Sequence, residues 1–269
     1  MILVRNQIPL IALVLCGVLF CWLVLFWLIT DSCHPIAMLT MPMSPVWTVG
    51  NLIAVFAMWV VMMIAMMLPS ALPMILMHHR MAKKNSHPFE NLSFTVSYLF
   101  IWVFFSVVAV ALQFIAQKAG LLDPASLTTT KIISVILLIM AGIYQFTELK
   151  NTCLSKCRTP AGFFMGYWKS GVLGAFQMGT RHGLFCLGCC WAIMLLLFVG
   201  GVMNLTWVLI LTIAVVAEKT LPAGELISKL IGVGLILAAA YIGYGLFYGE
   251  SMQSMSGMNM ECMAPMKMS

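Results

Sequence analysis

The stretch LIAVFAMWVVMMIAMMLPSALPMILM, residues Leu52–Met77, decides the fold class because it carries no charged side chain. A helix of about 20 such residues crosses the hydrocarbon core of a bilayer. The whole chain of 269 residues is 62% hydrophobic and only 8% charged. A soluble domain carries about 25% charged residues. We therefore predict an integral membrane protein whose solvent is lipid.

Other apolar stretches of similar length indicate that the chain crosses the membrane several times. The alternation of apolar and polar residues that is typical of membrane barrel strands is absent, which leaves bundled helices. We predict an all-α polytopic transmembrane helix bundle of about seven helices, with six or eight as the nearby alternatives. Phe163–Met178 is weaker and is broken by Lys169, so we predict an interfacial or re-entrant segment there. The seven stretches are Ile8–Ile29, Leu52–Met77, Phe94–Ile115, Ile132–Leu149, Gly183–Met203, Leu205–Pro222 and Leu230–Tyr248.

The Lys and Arg residues predict the orientation of this bundle. Cytoplasmic loops are enriched in Lys and Arg. An N-terminus in the cytoplasm leaves only Lys118, Lys131 and Lys267, of 14 such residues, on the outer side. We therefore predict N-in, C-out, and the net charge of +6 then reflects topology and gives no support to a nucleic-acid partner. We divide the chain into a transmembrane domain, residues 1–248, and a methionine-rich tail, residues 249–269, expected to be disordered.

The tail is the first of three sulfur-rich candidate sites. Thioether sulfur is a soft ligand that selects Cu(I) over hard cations. A polar, solvated segment has little packing use for so many methionines, so we predict metal capture there. As an alternative, Cys33 and Cys262, both on the predicted outer side, form a disulfide. The candidate metal ligands of the tail are Met255, Met258, Met260, Cys262 and Met263.

The second candidate site is a methionine stripe within the stretch quoted first. Met62 and Met66 are spaced i, i+4, and so are Met63 and Met67. This spacing stacks side chains on one helical face and offers two thioethers to one Cu(I) ion. Methionine is also an adaptable core filler, so packing alone is the alternative interpretation.

Cysteines form the third candidate site. In HGLFCLGCCW, the first cysteine makes a C-x-x-C with the second and an i, i+4 pair with the third. In CLSKC, two cysteines lie one turn apart if that segment is helical. Thiolate pairs at such spacings bind Cu(I) or Zn(II), or cycle as a redox dithiol. The candidate ligands are Cys153, Cys157, Cys186, Cys189 and Cys190, with His182 beside them.

One carboxylate is expected at the depth of these thiols. At 1.5 Å per residue, Cys189 and Glu218 both lie about 21 Å below the turn between the fifth and sixth predicted helices. Intramembrane carboxylates are costly and usually functional, with a partner. Arg181, His182 or a bound cation are the candidate partners of Glu218. The alternative is an interfacial Glu218 beside a Lys219 that extends to the surface.

Five segments resemble a known family: MMIAMMLPSALPM (Met62–Met74), CLSKCRTP (Cys153–Pro160), HGLFCLGCCW (His182–Trp191), GGVMNLTW (Gly200–Trp207) and EKTLPAG (Glu218–Gly224). Together they resemble the family described as predicted metal-binding integral membrane proteins, a domain of unknown function. The Gly-Cys-Cys-Trp core is the most specific motif. The resemblance implies a multi-pass protein of the bacterial inner membrane with a metal site. Glu148 departs from the family pattern, where proline is expected.

These features favour copper handling as the function. The tail and the outer loop Thr30–Val49 would collect Cu(I). The methionine stripe and the cysteines would hold it for uptake, transfer or delivery to a membrane cuproprotein or other complex subunit. One alternative is a membrane copper-dependent oxidoreductase, although copper redox sites usually include histidine and the chain has only five. Another is a thiol-disulfide oxidoreductase that uses the cysteine cluster. Zinc is an alternative to copper at the cysteines alone, and no catalytic residue is assigned.

Overall fold

The computed structural model describes residues 7–31, 34–42, 47–82, 89–123 and 127–248, and all regular elements in these ranges are helices. The helices are α1 (Ile8–Thr30), α2 (Pro35–Thr40), α3 (Val49–Ala82), α4 (Glu90–Lys118), α5 (Lys131–Tyr144), α6 (Glu148–Arg158), α7 (Pro160–Tyr167), α8 (Gly171–Leu195), α9 (Leu197–Gly200), α10 (Leu205–Thr220) and α11 (Gly224–Tyr248).

Within the described ranges, five helices are long and apolar enough to cross a membrane, namely α1, α3, α4, α8 continued by α9, and α11. The pair α5 and α6 counts as a sixth if it is one span bent by 66°. The prediction of an all-α polytopic helical bundle is therefore confirmed. The sixth predicted stretch, Leu205–Pro222, forms α10, whose 16 residues reach about 24 Å. That is short of the roughly 30 Å hydrocarbon core.

Contacts between helix termini define two ends of the bundle. At end A, the Gln7 side chain donates to Leu76 O and the Ser93 hydroxyl donates to Val172 O. At end B, Trp47 Nε1 donates to Gln117 Oε1. Helices α1, α4 and α8 therefore run from end A to end B, and α3 runs back. Which end faces the cytoplasm stays a prediction.

The bundle has an apolar outside and a partly polar inside. Leu13 and Leu173, on α1 and α8, are each 71% exposed, whereas Lys150 and Glu218 are 0% exposed. Large exposed aliphatic and aromatic side chains recur along α1, α4, α5 and α11. In water such a surface would be an aggregation hazard. The arrangement is the one expected when lipid surrounds the helices and polar groups need internal partners.

Close packing of α4 on α8 depends on two glycines one turn apart. A Cβ atom at Gly179 would collide with Phe94 O and Ser97 Oγ, and one at Gly183 would lie 2.8 Å from Ile101 Cγ1. Small residues at this spacing let membrane helices approach closely. The contact brings Tyr98 of α4 to the face of α8 that carries the cysteines.

The first half of α8 differs from the sequence prediction. Phe163–Met178 was expected to be interfacial or re-entrant, with a helix beginning at Gly183. Instead α7 ends at Tyr167 and α8 begins at Gly171. The polar side chains that lowered the hydropathy there have partners, because Lys169 Nζ donates to Gln177 Oε1 and Arg181 stacks 4.4 Å from the centroid of the Tyr167 ring.

Candidate metal centre

Four cysteine thiols gather between α6 and α8, and we call them the thiol cluster: Cys157, Cys186, Cys189 and Cys190. Cys189 Sγ lies 3.3 Å from Cys190 Sγ and 3.9 Å from Cys157 Sγ. Cys186 also interacts with Cys157 and Cys190. None of the four side chains is more than 8% exposed. The segment CLSKC lies within α6, so its two cysteines are one helical turn apart, and both are on the buried face.

Lys219 of α10 reaches this cluster from the opposite side. Its Nζ lies 2.9 Å from Cys186 Sγ, 3.3 Å from Ser70 Oγ and 4.0 Å from Met67 Sδ. An ammonium group has three donors and no acceptor, and burying it without a partner is costly. The Cys186 sulfur is the nearest of these partners. The contact therefore suits a negatively charged Cys186 thiolate.

Tyr98 connects the cluster to two further helices. Its hydroxyl lies 3.1 Å from Cys186 Sγ and donates to Met67 O of α3 at 3.2 Å. Tyr98 is fully buried, and it is held in place by the close α4–α8 packing at Gly183. The thiol cluster is thus enclosed by side chains from α3, α4, α6, α8 and α10.

Glu218 faces a different group of residues from Lys219. Its two carboxylate oxygens each accept from Lys150 Nζ at 2.9 Å. Lys150 also donates to Gln145 Oε1, and the Ser228 hydroxyl donates to Gln145 O at 3.3 Å. Arg181, His182 or a cation were the expected partners of Glu218, and the observed partner is Lys150 instead. The alternative of a Lys219 at the surface is also wrong, since Lys219 is 7% exposed.

The methionine stripe of α3 divides between two surroundings. Met62, Met63, Met66 and Met67 are all buried, at 1% exposure or less. Met67 contacts Lys219 beside the thiol cluster, whereas Met62 lines a small apolar cavity with Met58 and Met203. Met203 lies near end B, just before α10 begins at Leu205. The stripe therefore leads from that cavity to the thiol cluster.

Cys153 and His182 lie next to the thiol cluster. Cys153 packs against the backbone of α8, because a Cβ atom at Gly188 would be 2.8 Å from its sulfur. His182 precedes Cys186 by one turn and is 2% exposed, and its ring stacks 5.3 Å from that of Tyr98. Its Nδ1 atom is buried without a hydrogen-bond partner in the described part of the chain.

The tail candidates Met255, Met258, Met260, Cys262 and Met263, and Cys33, lie outside the described residues and stay predictions. Sequence reasoning missed two members of the site, Lys219 and Tyr98. A lysine inside an apolar helix is a signal that was available, but a tyrosine in an apolar helix is an ordinary residue.

The donors of the site are soft. Thiolate and thioether sulfur suit Cu(I), and the thiol cluster with Met67 supplies both. Within the described ranges, no three His, Cys, Asp or Glu side chains are already arranged as a metal site. The fit to Cu(I) therefore rests on the identity, burial and mutual contacts of the sulfur atoms.

Comparison with known families gives one match. Residues 56–242 match the model of a family described as PpoB2, Copper chaperone. The matched range contains the α3 methionines, Tyr98, the thiol cluster and Lys219. No curated protein and no solved structure matches the chain.

Proposed function

The chain belongs to the PpoB2 copper chaperone family, and on that premise we propose that it is a bacterial inner-membrane protein that binds Cu(I) in the thiol cluster and passes it on. The observation that carries the proposal is four buried thiols in mutual contact, with the Lys219 ammonium 2.9 Å from Cys186 Sγ. The recipient would be a membrane cuproprotein or the cytoplasm.

Charge balance supports this use of Lys219. A Cu(I) ion held by two thiolates carries a net negative charge, and an unpaired buried charge is strongly unfavourable. The Lys150 ammonium is already paired with Glu218. Lys219, whose Nζ contacts Cys186 Sγ, is therefore placed to balance a copper dithiolate.

The methionines supply a route to the cluster. Thioethers bind Cu(I) without losing a proton, so they hold it more exchangeably than thiolates do. We propose that the ion enters near end B, at the cavity formed by Met58, Met62 and Met203, and moves along α3 to Met67. Under the predicted N-in orientation, end B is the outer end, where the methionine-rich tail would collect copper.

Copper retention by purified protein tests the proposal. Wild type is loaded anaerobically with Cu(I), challenged with a chromogenic Cu(I) chelator, and measured by elemental mass spectrometry. Cys186→Ser should lose the retained copper. Cys21→Ser is the matched control, since Cys21 is a buried cysteine on α1, and it should retain copper as wild type does. A chain truncated after residue 248 should keep the tightly held ion.

Equal retention by wild type and Cys186→Ser, or none in wild type, would remove the copper proposal. Thiol-disulfide exchange is then the second candidate, and the 3.9 Å separation of Cys157 Sγ and Cys189 Sγ favours it. A disulfide needs an S–S bond of about 2.05 Å, so the two sulfurs would move together on oxidation. Peptide mapping after alkylation, with and without an oxidant, detects a Cys157–Cys189 disulfide.

A further inference from the structure

His78, near the end of α3, has one ring nitrogen without a partner. The side chain is 1% exposed. Its Nδ1 lies 2.7 Å from Asn91 Oδ1, whereas its Nε2 is buried with no hydrogen-bond partner in the described part of the chain. A buried polar atom left unpaired costs about 1–3 kcal/mol, so such an atom in a native protein calls for an explanation.

Asn91 determines which nitrogen of His78 carries the proton. The Asn91 side-chain nitrogen donates to His79 Nδ1, which directs the amide oxygen at His78. A carbonyl oxygen only accepts, so His78 Nδ1 is the donor and Nε2 keeps its lone pair. Metal-ligating histidines are characteristically held this way, with the second ring nitrogen donating to an oxygen.

A thioether lies one helical turn from this imidazole. Met74 precedes His78 by four residues on α3 and is 1% exposed. Residues four apart on a helix share a face, so we expect the Met74 thioether on the same side of α3 as the His78 ring. Imidazole and thioether are both ligands that copper accepts.

A column of stacked rings joins this position to the thiol cluster. The His78 and Phe94 rings are 4.7 Å apart at 16°, and the Phe94 and His182 rings are 6.1 Å apart at 16°. His182 then stacks on Tyr98, whose hydroxyl contacts Cys186. His182, with its own unpartnered Nδ1, lies between the two positions.

We propose that His78 Nε2 and the Met74 thioether form a second Cu(I) site near end A, which exchanges copper with the thiol cluster by way of His182. The role in exchange rests on the proposed function, whereas the site itself does not. The transfer is ligand exchange: a copper–sulfur bond breaks, a copper–nitrogen bond forms, and copper stays Cu(I), so no oxidant or reductant is needed. The thiolate left at Cys186 is balanced by Lys219.

Anaerobic Cu(I) titration of the full-length protein in lipid nanodiscs, with X-ray absorption at the copper edge, tests the site. Wild type should bind a second equivalent of Cu(I) more weakly than the first, and copper–nitrogen scattering should appear when it binds. His78→Gln should lose that equivalent and its nitrogen scattering. Ser93→Ala is the control, because it removes a hydrogen bond at end A that does not involve His78, and it should keep the second equivalent of Cu(I). Retention of the second equivalent by His78→Gln would overturn the proposal.

Two further variants separate the possible failures. Met74→Leu conserves side-chain volume, so it can be measured even if His78→Gln does not fold. It should weaken binding of the second equivalent of Cu(I). Unchanged binding of that equivalent by folded Met74→Leu would also overturn the proposed ligand pair. Cys186→Ser should lose only the tight equivalent. If wild type shows the His78-dependent equivalent without a Cys186-dependent one, the thiol-cluster proposal fails and the second site stands.

Discussion

Lys219 and Glu218 are adjacent in sequence, yet they meet different helices. Consecutive helical residues point in different directions, since only residues three or four apart share a face. Glu218 therefore turns to Lys150 of α6, and Lys219 turns to Cys186 and Ser70. One side of α10 therefore carries a neutral ion pair, and the other carries an ammonium group in contact with the Cys186 sulfur.

Replacing Lys219 by methionine tests whether its ammonium group stabilises bound copper. Lys219→Met keeps the length of the side chain and removes its charge, so a buried copper dithiolate would have no counter-ion. Hydrogen bonds to charged groups contribute about 1.5–3 kcal/mol, so Cu(I) affinity should fall by about 10- to 100-fold. Competition with a Cu(I) chelator measures the change. Lys229→Met, at an exposed position of α11, is the control, and an equal loss there would contradict the explanation.

The sequence was sufficient to find the sulfur donors of the proposed site and insufficient to find its charge. Cys157, Cys186 and Met67 were named because spacing along one helix shows which side chains share a face. Lys219 and Tyr98 were not, because their roles depend on how α10 and α4 are rotated against α8. The rotation of each helix about its axis is set by packing against its neighbours, such as the contact at Gly183. The sequence of one helix taken alone does not determine this rotation.

Helix α6 connects the site to the rest of the bundle. It follows a bend of 66° after α5 and carries Lys150 and Cys157 on its buried face. Lys150 joins it to α10 through Glu218, and Arg158 donates to Leu221 O at 2.7 Å. Both ends of this short helix are therefore attached to the α10–α11 region, which fixes the position of Cys157.

Breaking the buried ion pair should loosen that attachment. Removal of one partner of a buried pair costs about 3–5 kcal/mol, because the other charge stays buried. Glu218→Gln should lower the thermal midpoint of the detergent-purified protein, measured by size-exclusion chromatography after heating. The double variant Lys150→Met with Glu218→Leu removes both charges and should recover much of the loss. A double variant less stable than Glu218→Gln would contradict this explanation.

The predicted bounds of two helices, α8 and α10, differ from those in the structure. Apolar runs revealed the bundle because lipid-facing sides must be apolar. They misplaced the start of α8, whose first half contains Gln177 and Arg181. They also gave α10 a full span. Hydropathy does not register the contacts of these side chains: Gln177 accepts from Lys169, and Arg181 lies on the Tyr167 ring.

The whole molecule has an orientation that accessibility can measure. Ala119, after α4, lies at end B, and Ser170, before α8, lies at end A; both are exposed. Under N-in orientation, Ala119→Cys should react with a membrane-impermeant maleimide added outside intact cells, and Ser170→Cys should react only after the cells are opened. Wild type gives the background from the native cysteines. The reverse pattern would invert the predicted topology and the direction of copper entry.

The order in which the residues around the thiol cluster are synthesised has a consequence for assembly of the site. Domains form from the N-terminus first during translation, so Met67 and Tyr98 enter the membrane before Cys157 and Cys186, and Lys219 arrives last. Until then the thiols lack the Lys219 ammonium group, which contacts Cys186 in the complete bundle. Under the proposed function, the counter-ion of a copper dithiolate would therefore be present only in the finished polypeptide.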